Sequence, residues 1–358
     1  MTGSRFGVGR IPWIWVAVSA VLLLLLPRVI GVHDPTELGI AALFALSLAL
    51  MWGYAGILSF GHAAYFGLGA YTYAVVAINA GESTVAVFCA VLVPAAVAAV
   101  IGAMMFYGRV SDVYMGAITL VVTLLIRQFM DGTAGDAYRI GAARLGGFNG
   151  MPGVPFFNMP FEPSWRFVPF KSPIIYYYIV MVTLLLAYLL CRWILASRFG
   201  RILIGIRENE LRMELLGYNV PAYKTAIFAI CGGMAGLAGT LFAVFEANVT
   251  PAIFGLQQTA EVIIWVIVGG LGTLIGPMIG AAVLVELKGW IGSIGGKLHV
   301  DIDSALVLGI ILILVVLLVP RGVVPSLADL RRRAARSVTQ RRRNRSTRRR
   351  VSVTDAET

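Results

Sequence analysis

The feature that most constrains this 358-residue chain is the repetition of long apolar stretches with almost no charge inside them. A helix needs about 20 mainly apolar residues to cross about 30 Å of hydrocarbon. Such stretches run over roughly 11–30, 38–57, 61–80, 84–107, 112–130, 173–195, 224–246, 259–278, 279–297 and 304–320. Hydrophobic residues make up 59% of the chain and charged residues 13%, against about 45–50% and about 25% in soluble domains. Too little polar surface remains to coat a water-soluble fold. The chain therefore reads as an all-α, polytopic membrane protein of about ten transmembrane helices. The count falls to eight or nine if the glycine-broken stretches are re-entrant. The first stretch, with leucines from Leu22 to Leu26, resembles a signal peptide; no small-residue cleavage site follows, so it is read as an uncleaved anchor.

Cations give the orientation. With the N-terminus in the cytosol, the cytosolic segments hold Arg5, Arg10, Arg109, Arg192, Arg198, Arg201, Arg207, Arg212 and Lys224. The spans and outer segments hold only Arg28, Arg127, Arg139, Arg144, Arg166, Lys171, Lys288 and Lys297. That asymmetry follows the positive-inside rule and places both termini in the cytosol. Residues 1–320 form the membrane domain, with an outer loop at 131–172 and a charged cytosolic loop at 197–223. The net charge of +11 is concentrated beyond residue 320, where twelve arginines face three acids. This 321–358 segment reads as an unstructured, solvated tail beside anionic lipid. Nucleic acid is not an expected partner, since no folded module accompanies the arginines.

Several chemistries are missing. Cys89, Cys191 and Cys231 all lie in apolar stretches, which suits neither a disulfide framework nor a zinc site. No nucleophile–base pair stands out, so an enzyme is not expected. Glu261, Glu286 and Lys288 lie inside spans, with Arg127 and Glu246 near span ends; these are too few to suggest an ion-coupled carrier, although that class stays as a rival.

The cytosolic loop carries the clearest local pattern. Leu211, Leu215 and Leu216 form an apolar stripe, with Arg207, Glu208, Glu210, Arg212 and Glu214 around it. Gly217 follows the last apolar position as a left-handed terminator would, and Pro221 prevents resumption. One short amphipathic helix ending at Gly217 is expected. Its polar face is mixed in sign, unlike the basic face of a lipid-surface helix, and suits a groove on a soluble protein.

Glycines also cluster, at 53, 56, 61, 67 and 69 around Ser59 and His62, and at 269, 270, 272, 276 and 280 around Thr273. Interrupted helices in two halves of a transporter point to a binding pathway, whereas Gly232–Gly239 suits close helix packing. His62 reads as a structural donor rather than a metal ligand, because no second ligand lies at helical spacing.

Together these features resemble a known family. The 206–217 run, with Glu208, Glu214 and Leu216-Gly217, looks like the docking loop of ABC importer permeases. Closer still is the branched-chain amino acid permease family. The stretches that carry the resemblance are 58–71 (LSFGHAAYFGLGAY), 145–155 (LGGFNGMPGVP), 268–277 (VGGLGTLIGP), 200–217 and 234–239 (MAGLAG). They occur in the family's order and cover about residues 40–322, leaving the arginine tail outside. The resemblance implies a multi-pass permease of the inner (cytoplasmic) membrane. It would import branched-chain or other hydrophobic amino acids by alternating access. Its partners would be a second related permease, two ATPase subunits and an extracytoplasmic substrate-binding protein. This chain contains no phosphate-binding G-x-x-x-x-G-K-[ST] loop, so ATP would be hydrolysed by the partner subunits and no cofactor held here. ATPase coupling then falls to Arg207, Glu208, Glu210, Leu211, Glu214, Leu215, Leu216 and Gly217. Candidate pathway residues are Ser59, Phe60, Gly61 and His62, then Gly146, Gly147, Asn149 and Gly150, and finally Gly269, Gly270, Gly272 and Thr273. Urea or short amides, moved by permeases of the same family, are the alternative solutes.

Overall fold

A computed structural model of the chain describes residues 33–135, 137–158, 172–298 and 309–310. The expected spans at 11–30 and 304–320, the tail and part of the outer loop lie outside the described residues. Within them the chain is helical: α1 (His33–Ala55), α2 (His62–Ala80), α3 (Ser83–Tyr107), α4 (Asp112–Asp131), α5 (Pro173–Ala196), α6 (Arg198–Glu208), α7 (Glu210–Leu215), α8 (Val220–Glu246), α9 (Leu256–Gly269) and α10 (Ile275–Leu298). Five of these are long and apolar enough to cross a membrane: Pro35–Ala55 within α1, then α3, α4, α5 and α8. The only strands among the described residues are two-residue pairs. Strands β1 (Arg139–Ile140) and β2 (Ala143–Arg144) form one hairpin, while β3 (Met151–Pro152) pairs antiparallel with β4 (Asn248–Val249). The all-α polytopic expectation holds.

Helix α1 is the axis. It is apolar on all sides, and 89% of its most apolar window is buried in protein, as a helix hydrophobic all round must be. Helices α5, α8, α9 and α10 pack around it.

Small residues set how closely the next layer approaches. Ala86, Ala90, Pro94, Ala98 and Gly102 recur every fourth position on the buried face of α3, so they form one stripe. Against that stripe lie Gly232, Gly233 and Gly236 of α8, where a Cβ would meet Ala98, Val91 or Ala95, and Ala90 or Pro94 respectively. Across the other side of α8, a Cβ on Gly239 would collide with the Phe66 carbonyl of α2, and one on Gly69 with the Gly236 backbone. With no water to expel, helix pairs in lipid gain from such close contact rather than from apolar bulk. The bulky α3 side chains Phe88, Leu92, Val100 and Met104 are exposed on the far face, as expected for residues turned to lipid.

Loop ends segregate to two sides. On one side, the one expected to face outward, Asn79 near the end of α2 donates to Ile140 O (2.8 Å) and accepts from Ala142 N (2.7 Å), pinning the β1–β2 hairpin. Asn158 accepts from Ser83 N (2.8 Å) at the start of α3. On the other side, Lys224 of α8 reaches Glu210 of α7 at 2.6 Å and lies over the Phe106 ring near the end of α3. This alternation matches the order of spans expected from the cations.

Two expectations need correction. Separate spans at 259–278 and 279–297 are replaced by α9, a five-residue turn at 270–274, and α10. Hydropathy runs unbroken through this turn, so only its glycines mark it; Gly270 and Gly272 both have positive φ, at 106° and 86°. The single cytosolic helix is instead two, α6 and α7. Asn209 separates them with an extended backbone (φ −161°, ψ 101°), and its side chain accepts from Arg212 N, capping α7.

Overpacking tests the central interface. Gly239→Val must push α2 off α8 and should cost about 1–3 kcal/mol or more. Gly289→Ala, where nothing lies within 4 Å of the new carbon, should be neutral. Thermal unfolding of detergent-purified protein, followed by tryptophan fluorescence, should show a lower midpoint for the first and none for the second.

Candidate functional site

Two regions stand apart from the regular bundle: the breaks in its helices and the exposed pair α6–α7. The first break follows α1. Gly56, at φ 77°, ends α1 in a left-handed cap, with its N–H on Trp52 O at 3.2 Å. The chain then runs back along α1 without regular structure to His62. There the His62 ring stacks on Phe44 (centroids 5.4 Å apart) and its Nε2 lies 2.7 Å from Ser47 Oγ, both partners well inside α1. Gly61 abuts Thr119 and Thr123, midway along α4. Irregular backbone therefore sits at mid-depth, which lipid forbids unless protein or water receives it. Ser59, fully buried, accepts the Gly61 N–H at 3.2 Å. Phe60 is 38% exposed, its ring over Gly116 of α4.

Ser47 Oγ lies 2.7 Å from both Phe44 O and His62 Nε2, so one hydroxyl bridges the α1 backbone and the ring. Nδ1 is buried and without a partner among the described residues.

The second break is the 248–255 connection. Its 3-10 turn Pro251–Phe254 dips beneath the outer surface, where Phe254 stacks on Tyr71 (5.6 Å) and fills the notch at Gly67. Gly150 packs against Val249 and Thr250 of this connection. Gly146 and Gly147 are left-handed at φ 74° and 54°, and Gly147 lies against Ala134. Asn149 is exposed. The third break is the 270–274 turn at the inner end, where Thr273 Oγ1 donates to Gly270 O (3.1 Å) and accepts from Gly276 N (3.2 Å). Gly269 meets Gly276 backbone to backbone.

The twelve pathway candidates thus occupy three levels rather than one pocket. Gly146, Gly147, Asn149 and Gly150 are outermost, Ser59 to His62 central, and Gly269, Gly270, Gly272 and Thr273 innermost. Sequence reasoning missed the polar contacts between these levels. Lys288 of α10 reaches Glu261 of α9 at 2.7 Å, and Gln257 donates to the same carboxylate oxygen at 3.0 Å. Arg127 pairs with Asp131 (3.7 Å) and lies beside Gly255. The i,i+4 spacings of Gln257–Glu261 and Arg127–Asp131 were visible; the Lys288 partner was not.

The α6–α7 pair has a buried and a bare side. Gly200, Leu203 and Ile206 of α6 face inward. On α7 and just beyond, Leu211, Leu215 and Leu216 are 66%, 81% and 65% exposed, with no apolar cover among the described residues. Gly217, at φ 86°, closes a Schellman cap in which Gly217 N reaches Glu214 O and Tyr218 N reaches Met213 O. Glu210 begins α7 where the helix dipole favours an acid and is tied to Lys224. Glu208 ends α6 exposed, and Glu214 is partly buried. Arg207 turns away from this face and donates to the Gly53 carbonyl of α1.

A multi-pass helical bundle, broken at several depths and displaying a short apolar-faced helix at one end, has the architecture of a membrane permease. The chain belongs to the family of branched-chain amino acid transport system permease components, whose model matches residues 36–316. It is 25% identical over 304 residues to the high-affinity branched-chain amino acid transport system permease protein LivM of Salmonella typhimurium, covering 79% of this chain and 67% of that one. The probable LivM of Methanocaldococcus jannaschii is 24% identical over 331 residues (80% and 91%). The ribose import permease protein RbsC of Escherichia coli is 27% identical over 308 residues (79% and 88%). No solved structure gives a significant match.

Removing the His62 partner checks the central level. Ser47→Ala leaves His62 Nε2 buried without its partner, which should cost about 1–3 kcal/mol of stability. An unchanged unfolding midpoint would mean that the ring finds water there.

Proposed function

We propose that this chain is the membrane permease of an ABC importer for aliphatic amino acids, and that α7 is the element on which an ATPase subunit docks. The observation that supports the docking reading best is the uncovered leucine triplet on a helix fixed at both ends. Leu211, Leu215 and Leu216 are exposed together, while the Glu210–Lys224 pair holds one end of α7 and the Gly217 cap defines the other. Three large apolar side chains on a rigid helix suit insertion into a groove. A second related permease, two ATPases and a substrate-binding protein complete the assembly, with ATP hydrolysed on the partners.

Chemistry at the breaks supports an amino acid as the solute. An amino acid presents two charges and an aliphatic chain. The breaks offer backbone dipoles, and the surrounding core offers apolar walls (Phe44, Phe66, Phe254). The LivM relatives support the same class. Ribose, moved by the RbsC relative, and urea or short amides are the competing solutes. Uptake of labelled leucine, ribose and urea by vesicles bearing the assembled transporter separates them; saturable ribose or urea uptake without leucine uptake would overturn the amino acid reading.

Two variants test docking. Leu215→Asp puts a charge into the contact and should weaken co-purification with the ATPases by about 30-fold, as loss of a hot-spot residue does. Gly217→Val forces an ordinary residue into a left-handed conformation at about 1–2 kcal/mol and should reduce both co-purification and uptake. Normal ATPase recovery and uptake in both would leave α7 a surface connector. Orientation has its own test. A membrane-impermeant thiol reagent applied outside cells should modify Asn149→Cys and spare Arg212→Cys, and the reverse pattern would invert the protein.

A further inference from the structure

The leucine face of α7 is bare among the described residues, while α6 packs inward through Gly200, Leu203 and Ile206 and makes one further, polar contact with the end of α1. The inner end of α1 leaves carbonyls that no later residue of that helix can satisfy. Gly56 takes the Trp52 carbonyl. The Gly53 carbonyl is taken instead by the Arg207 guanidinium, from the last turn of α6. A cation at a helix C-terminus is also favoured by the helix dipole. Gly56 lies directly beneath the same arginine, since a Cβ there would sit 3.2 Å from Arg207 Cγ.

The same short stretch of α1 holds the 270–274 turn from its other side. Tyr54 donates its hydroxyl proton to Gly272 O at 3.1 Å. Gly53 backs onto Gly272 so closely that a Cβ would lie 3.3 Å from Gly272 N. Arg207, Gly53–Tyr54 and Gly272 are therefore one continuous string of polar and close-packed contacts. It joins α6 to the break between α9 and α10, over residues far apart in sequence.

Resting on the docking reading above, we propose that this string is the mechanical link of the permease: α6–α7 moves the 270–274 turn through the end of α1, with Arg207 and Tyr54 as its positioning residues. The turn is suited to move. Gly270 and Gly272 both have positive φ, a region glycine enters and leaves at little steric cost, and Leu271 between them is exposed. Because α1 is otherwise enclosed by helices, its inner end is the place where a push from α6 can be passed on rather than absorbed.

The experiment uses the full transporter with its ATPases in proteoliposomes. Spin labels at Val113→Cys, near the inner end of α4, and Leu271→Cys, on the turn, report the turn's displacement when nucleotide is trapped. Otherwise-parental protein should show a change in that distance. Tyr54→Phe removes one hydroxyl and should shrink the change while ATPase recovery stays parental. Leucine uptake per ATP hydrolysed should fall by about 2- to 30-fold, the range of mutations that disturb coupling between sites. Arg207→Gln should lower it too, and the double variant should be no worse than the poorer single, since contacts in series fail once. Full displacement and parental uptake per ATP in Tyr54→Phe, or single effects that multiply in the double variant, would overturn the link. An unlabelled parental chain that recruits no ATPase would instead remove the docking reading.

Discussion

Backbone hydrogen bonds at membrane depth govern this structure. Lipid offers no partner to a freed N–H or C=O, yet the chain interrupts its helices at 56–61, 248–255 and 270–274. Each interruption comes with its own local device. Ser59 receives the Gly61 N–H, β4 pairs with β3, and Thr273 both donates and accepts within its turn. The inner end of α1 is served by a side chain from outside the bundle, Arg207. The breaks are thus supported in different ways: by a neighbouring side chain at Ser59 and Thr273, by strand pairing with a distant loop at β4, and by a charged side chain from another helix at the end of α1.

Such breaks can be tolerated because the frame around them is tight. Where Gly69, Gly236 and Gly239 bring α2 and α8 into backbone contact, neither helix can tilt without losing packing on both sides. Helix α3 is held by its alanine stripe against the same α8. The contrast is with α7, which has no buried residue at all.

Much of this was legible in the sequence, for identifiable reasons. Most spans follow from apolar length alone. The left-handed Gly217 followed from a glycine placed after the last apolar position of an amphipathic run. Close packing at Gly232–Gly239 followed from spacing of small residues. What escaped had no local signal. The α9–α10 turn lies inside continuous hydropathy, so length divided that stretch at 278/279 instead of 270–274. The split between α6 and α7 was signalled by Asn209 before Glu210, an ordinary N-cap pattern, but the leucine stripe dominated the reading. Contacts such as Lys288–Glu261 and Arg207–Gly53 join residues 27 and 154 positions apart, and no periodicity carries that information. For the candidate site, the chemistry of each residue was readable while its depth was not; three levels of glycine clusters look alike until the fold stacks them.

The position of Arg207 shows why residue type alone misleads here. In the sequence it belongs with Glu208, Glu210 and Glu214 as one more charge on a polar face. In the fold, α6 ends at Glu208 and Asn209 redirects the chain, so Arg207 lies on a different helix from the leucines. Were the run one continuous helix, Arg207 and Leu211 would be four apart and would share a face. The break frees them to face opposite sides: the leucines outward, bare among the described residues, and the arginine inward, on the end of α1. A single capping asparagine therefore turns one amphipathic helix into a two-sided element, with a bare apolar face on one side and a charge-assisted hold on the end of α1 on the other. Restoring continuity at Asn209 would bring both functions back to one face, and the hold on Gly53 would be the one lost.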